Sequence, residues 1–353
     1  MSSVTRGEFL GFGAILAGAV SLGKVPAPVE EEQVPPVARG GGAIEPDLAV
    51  VNGRVYTMDD AQPRAEAFAV KNGRFAAVGT TSEIKNLVTR RTTVVDAAMM
   101  TVTPGFIDAH CHPSGVSELY GVNCNLRRIA DVQAALRKKA QATPPGFWVE
   151  GFMFDDTKLE DGPLNRRHLD EATRDHLVAV NHRGGHTSWY NSKALELAGV
   201  TRETPDPPDG RFFRDKDGDL TGRVAELARN VLRKAGKRET FTRDEQRTRA
   251  RNGMRHISEL LTAAGLTSVH DAGTSLEHIL AFEDTYRNGE LRHRAYMMVR
   301  GADVFGGFKA AGIYTGFGNE WVRVGGVKFA ADGSASERTM RMSTPYVGTN
   351  DYG

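Results

Sequence analysis

Pro104-Gly105-Phe106-Ile107-Asp108-Ala109-His110-Cys111-His112-Pro113 is the stretch on which the reading of this protein turns. Phe106 to His112 has the character of a strand, and the Pro-Gly before it and the proline after it fix where that strand starts and stops. Side chains on a strand alternate between faces, so His110 and His112 share one face while Cys111 points to the other. Two neutral imidazoles on one face suit zinc, iron or nickel. A bare His-x-His is more often a pair of core or surface histidines, so the flanking sequence decides what this one is.

Upstream, Leu48 to Thr57 and Phe68 to Gly79 each read as strand, Asn-Gly turn, strand, the signature of a hairpin. With Thr93 to Asp96 they predict a small antiparallel β-sheet domain over residues 47–104. Residues 24–46, rich in Pro, Glu and Gly without hydrophobic periodicity, read as a flexible linker. Residues 1–23 read as a signal-like segment, because Phe9 to Gly23 is apolar and Gly/Ala-rich, short for a bilayer span. Ser3 to Leu10 resembles a twin-arginine export signal with Gly7 in place of the second arginine. Export through that degenerate signal or a general secretory one is expected, with a membrane-anchored or cytoplasmic protein as the alternative. No stable membrane span is expected.

Downstream of Pro113, helical segments alternate with short apolar runs, the pattern of βα units around a parallel sheet. Candidate strands are Phe147–Gly151, Leu177–Asn181, Thr267–Asp271, Arg294–Val299 and Val324–Phe329; candidate helices are Val132–Lys139, Ser192–Ala198, Leu220–Ala235 and Asp244–Ala264. His270 and Asp271 share a strand end and point opposite ways, so neither is given a metal role. The 353 residues, 40% hydrophobic and 25% charged, suffice for a sizeable core. A net charge of +1 leaves nothing to concentrate a polyanion, so nucleic acid is excluded as a partner. Cys111 and Cys124 are too few for a disulfide framework or a four-cysteine zinc site.

With its flanks, the His-x-His run resembles the first metal-ligand motif of the amidohydrolase superfamily. His182 to Leu195 is similar to a segment of amidohydrolase family 3, the branch of formamide-deformylase-like enzymes. Asp217 to Gly222, Gly265 to Gly273 and Val327 to Ser334 agree with it in order and spacing. The resemblance implies an α/β fold, a TIM-type (β/α)8 metal-dependent hydrolase barrel over residues 105–353. It implies one or two divalent metal ions, zinc by preference, held by His110, His112 and Lys328. An ammonium has no lone pair for a cation, so Lys328 is expected to be N-carboxylated. His186 and Glu226 are implied to face the substrate. Trp189 is expected to wall its leaving-group pocket, and Asp332 reads as a turn residue.

The implied activity is hydrolysis of a C–N bond, amide-type and non-peptide, in a small molecule by attack of a metal-activated hydroxide. After Lys328 there is no room for four more βα units at roughly 25–30 residues each. The barrel is therefore expected to be incomplete, truncated on its C-terminal side, with exposed strand edges and an inactive site. The acid/base aspartate is expected beyond residue 353, and no catalytic residue is assigned before it. Competing readings are a deaminase of the same superfamily and a catalytically silent binding protein with an incomplete metal site. Nothing in the sequence speaks to oligomeric state.

Overall fold

The computed structural model describes residues 45–353, so the signal-like segment at 1–23 and nearly all of the linker at 24–46 lie outside the described residues. Among the described residues no helix is long and apolar enough to cross a membrane. The protein divides into two compact units between Pro104 and Gly105.

In the first unit the strands are β1 (Leu48–Val51), β2 (Arg54–Tyr56), β3 (Arg64–Ala65), β4 (Ala67–Lys71), β5 (Arg74–Gly79), β6 (Thr93–Asp96) and β7 (Thr101–Val102). They form two sheets, ordered β5-β4-β1-β6 and β3-β2-β7. The second Asn-Gly pair makes the expected hairpin: Asn72 and Gly73 have φ of 51° and 75°, as a type I′ turn requires at both central residues, and Lys71 pairs with Arg74. The first does not. Only Asn52 of the Asn52-Gly53 pair has positive φ, and the backbone passes there from one sheet to the other. β1 pairs with β4 and runs parallel to β6, while β2 pairs with β3 and runs parallel to β7. The expected antiparallel sheet is therefore two mixed sheets, around a core of Ala49, Val51, Ala67, Ala69 and Ile84.

The second unit begins with β8 (Phe106–Cys111). It continues with β9 (Val122–Asn123), β10 (Trp148–Phe154), β11 (Leu177–His182), β12 (Thr187–Tyr190), β13 (Gly210–Arg214) and β14 (Leu220–Glu226), then β15 (Leu266–Thr274), β16 (Arg294–Arg300) and β17 (Val322–Lys328). These strands do not make one series. β9 to β14 form a six-stranded sheet of their own, ordered β13-β14-β12-β11-β10-β9, and β15 lies directly beside β8 in a four-stranded sheet ordered β17-β16-β15-β8. All neighbours in the four-stranded sheet are parallel. Helices Leu276–Arg287 and Ala302–Ala310 make its crossovers from β15 to β16 and from β16 to β17.

This corrects the expectation of a single run of barrel strands: the apolar stretches at 147–151 and 177–181 are strands, but of a different sheet. An apolar run states that a strand is buried without stating which neighbour it pairs with. A second correction concerns residues 220–235. Leu220 to Glu226 is strand β14, hairpin partner of β13, and only Arg229–Arg233 is helical. Burial along β14 alternates through its first five residues, the period of a strand rather than a helix.

The six-stranded sheet is covered on both faces. Val178, Val180 and Trp189 pack in one cluster, and Leu177, Ala179, Tyr190 and Leu232 in another. The four-stranded sheet packs Val269, Ala295 and Met297 against Met254 and Phe282. Its edge strand β8 is different, with Phe106 60% and Ile107 65% exposed.

Candidate metal centre and histidine loop

At the carboxyl end of β8 the rings of His110 and His112 stand 5.5 Å apart, nearly perpendicular at 86°. Cys111 faces away from them, its sulfur 3.8 Å from the carbonyl of His270. Burial, then the nearby carboxylates of Asp108 and Asp271, push that thiol up to about 12, so it stays protonated and is a poor ligand. Lys328 ends β17, the opposite edge of the same sheet, and its Nζ lies 3.4 Å from Nε2 of His110. In a flat sheet these edge strands are roughly 14 Å apart, three spacings of about 4.8 Å, so the two side chains meet by reaching over β15 and β16. With the strands at 147–151 and 177–181 removed from the count, β17 is fourth in order from β8.

The donor set fits a divalent cation once the lysine carries a carbamate: two imidazoles and an anionic oxygen donor converge at one end of a parallel sheet. Beside it lies Asp271, 0% exposed, with neither carboxylate oxygen hydrogen-bonded. Nδ1 of His112 is 3.9 Å from one oxygen and Nδ1 of His278 is 3.5 Å from the other. Burial opposes the ionisation of Asp271, yet the two histidines hold its carboxyl below the usual range. His270, its neighbour in sequence, stacks instead on Tyr296 at 4.8 Å. Alternation in the sequence shows that these two residues diverge; it does not show that Asp271 is the one beneath His112.

A second cluster is built around the loop between β11 and β12. Nδ1 of His186 is 2.9 Å and 3.0 Å from the two carboxylate oxygens of Glu226, at the end of β14. The backbone N–H of His186 donates to Glu337, and so do the N–H and hydroxyl of Thr187. Glu337 is 2% exposed. A Cβ on Gly184 would lie 2.1 Å from its Oε1, so the glycine is what lets the carboxylate enter the loop. His182 stands between two carboxylates, its Nδ1 3.4 Å from Glu337 and its Nε2 3.3 Å from Asp156. Burial works against the His182 imidazolium, but Asp156 and Glu337 outweigh it and raise its pKa to about 9. Burial likewise opposes the Glu337 carboxylate, and the bonds from His182, Thr187 and His186 prevail, holding it at about 2.

Asp155, Asp156 and His182 bring ligand-type atoms within 4.8 Å of one another. Asp155, however, already accepts from Nε of Arg183 at 2.7 Å and from Thr157. The group is an ion network in which Asp155 is already engaged and Nε2 of His182 faces Asp156 without a hydrogen bond.

The structure thus brings His110, His112 and Lys328 together, and separately His186 and Glu226. Trp189 does not join His186. Cross-strand pairs Val180–Trp189 and Ala179–Tyr190 lie on opposite faces, and alternation puts His186 on the face of Tyr190. Trp189 packs on Phe154 and His182. Asp332 is an exposed loop residue accepting from the N–H of Arg341. On the face of Tyr190 a cavity of about 460 Å³ is lined by Asn181, Gly185, Tyr190, Arg229, Arg233 and Arg238. Glu337, Asp156, Asp271 and His278 are neighbours of the candidate residues that sequence reasoning misses. The first is about 150 positions from the loop it binds (|i−j| = 151), and no local pattern announces such a contact.

The sequence profile of the amidohydrolase family matches residues 93–353. The protein is 33% identical over 231 residues to the N-substituted formamide deformylase of Arthrobacter pascens, a match over 64% of this sequence and 42% of that protein. It is 28% identical over 322 residues to LONG AFTER FAR-RED 3 of Arabidopsis thaliana, over 87% of this sequence and 54% of that one. Among solved structures, an uncharacterized metal-dependent hydrolase of Pyrococcus horikoshii shares the fold with a TM-score of 0.58 at 22% identity, covering 86% of this sequence and 59% of its own. The present sequence spans about half the length of these curated relatives.

Proposed function

The protein belongs to the amidohydrolase family, and from that premise we propose that its His110, His112 and Lys328 hold a divalent cation, zinc by preference, in a protein that hydrolyses an amide-type, non-peptide C–N bond. The observation that carries this reading is the 3.4 Å approach of Lys328 Nζ to His110 Nε2 from the opposite edge of the sheet. The formamide deformylase relative names one amide substrate for a protein of this family.

When bound, such a cation lowers the pKa of a water toward neutrality and polarises the substrate carbonyl. The protein's own residues supply the setting. His110 and His112 give neutral imidazole lone pairs, and Lys328 serves as the N-carboxylated form. Asp271 attracts the Nδ1 edge of His112, which leaves Nε2 to face outward, the arrangement by which a buried carboxylate orients a metal-ligating histidine. Glu226 binds Nδ1 of His186 and so fixes which ring nitrogen is offered to the substrate. Residues 1–23 are proposed as an export signal, which N-terminal sequencing of the secreted protein tests.

Metal content and hydrolysis of a panel of formamides, N-acyl amino acids and cyclic amides, with an aminated ring as the deaminase control, test the proposal. His110→Ala is expected to lose both metal and turnover. Turnover of the aminated ring alone would overturn the amide assignment, and a protein that binds no metal would overturn the centre itself.

A further inference from the structure

We infer that the face of the six-stranded sheet opposite His186 carries a second binding site, for a small organic anion: a carboxylate on an apolar body. The site is a cavity of about 580 Å³ with Trp189, Phe213 and Leu164 in its wall, within the range of small-molecule sites. Arg166, Arg167, Arg223 and Arg338 also line it.

Arg223 is the telling residue. One Nη donates to the backbone carbonyl of Glu337 at 2.9 Å, but its Nε is shielded from solvent and has no hydrogen-bond partner. Its guanidinium lies over the rings of Phe213, at 4.3 Å, and Trp189, at 5.5 Å. Unpaired buried donors are rare and costly, more so on a charged group. Among the described residues none of these four arginines makes an ion pair.

No acidic group of the cavity wall hydrogen-bonds Nε of Arg223, although Asp156 attracts both Arg223 and Arg338 through space. Asp156 is engaged with His182, Asp219 with Arg202, and Asp215 accepts from the backbone N–H groups of Asp217 and Asp219. The fifth arginine of the wall, Arg214, is paired with Asp206. What is left over is positive charge beside an aromatic wall, with a fixed guanidinium donor. That combination recognises a planar carboxylate attached to an apolar ring or alkyl group, because the fork of a guanidinium matches a carboxylate and the rings take the body. The site also shares a segment with the histidine loop, since Arg338 follows Glu337 in sequence.

Benzoate and its neutral isostere benzamide are suitable probes, titrated into the full-length protein with tryptophan fluorescence and saturation-transfer NMR as readouts. Benzoate is expected to bind saturably and at least tenfold more tightly than benzamide, with the preference shrinking as salt is raised. Arg223→Gln is expected to remove the preference. Should that variant fail to fold, Arg166→Gln/Arg338→Gln, at partly exposed and exposed positions, is expected to weaken benzoate at least fivefold while leaving benzamide unchanged. Equal affinity for the two probes, or unchanged benzoate binding in the double variant, would overturn the site. Neither readout involves the metal, so failure here leaves the proposed metal centre standing.

Discussion

The two sheets of the larger unit carry their histidines in opposite ways. His110 and His112 sit on an edge strand where His112 has 59% of its side chain exposed, spaced by local strand geometry and facing a lysine. His182 and the backbone of His186 are held inside the structure by Glu337, with Asp156 closing the other side. The first arrangement leaves lone pairs available for a ligand. The second has already used its charges on each other. The lesson is that convergence of ligand-type atoms does not by itself mark a metal site; what matters is whether the lone pairs are free.

Removing Glu337 should do the most damage. Glu337→Ala leaves the N–H groups of His186 and Thr187 without their acceptor and His182 without one of its two carboxylate neighbours, and should destabilise the fold by about 3–5 kcal/mol, read from urea unfolding. The network also predicts a pH dependence with two limbs. The Glu337 carboxyl is lowered from 4.5 to about 2, so its contribution is present above pH 4.5 and lost as pH falls toward 2. His182 is raised from 6.5 to about 9, so its contribution is complete below pH 6.5 and lost as pH rises through 9. Both limbs should become shallower in Glu337→Gln; a profile identical to the parent would detach these groups from stability.

A smaller effect is expected from Gly184→Ala. The new methyl would meet Glu337 Oε1, and overpacking of this kind destabilises by about 1–3 kcal/mol. A shift of the His186 resonance in the NMR spectrum should accompany it. If the loop tolerates alanine with no change in either, the tight entry of Glu337 is not what shapes it. On the metal side, Asp271→Asn should weaken zinc affinity by about 10–100-fold in a competition titration with a chelator; unchanged affinity would mean the buried carboxylate does not orient His112. Smallest of all should be the stability change in His110→Ala, within about 0.5 kcal/mol as for other exposed positions. A large loss there would erase the contrast between an open edge and a closed network.

The pairing of His110 with His112 is legible in the sequence because its geometry is local. Two histidines two residues apart on a strand must share a face, and the proline that follows ends the run. Lys328 is placed by its likeness to a family pattern, and the structure puts it within reach of His110. The small sheets are half legible: Asn72-Gly73 reads correctly as a hairpin, but Asn52-Gly53 carries the same residues with a different backbone because β1 is claimed by β4 and β6. Residues 220–226 read as helix although they form a strand, because their short alternation is decided by pairing with β13 and β12. Long-range contacts are closed to sequence reading. Glu337 in the loop after β17, and Asp271 beneath His112, acquire their meaning only when distant segments meet.

The most direct test of the central claim is zinc stoichiometry by atomic absorption after bicarbonate-supplemented loading, compared across the parent protein, His110→Ala, His112→Ala, Lys328→Ala and Asp156→Asn. Bound zinc in the parent, lost in the first three variants and kept in Asp156→Asn, is the predicted result. Zinc retained by the His110, His112 and Lys328 variants but lost from Asp156→Asn would place the metal in the wrong sheet and contradict the account.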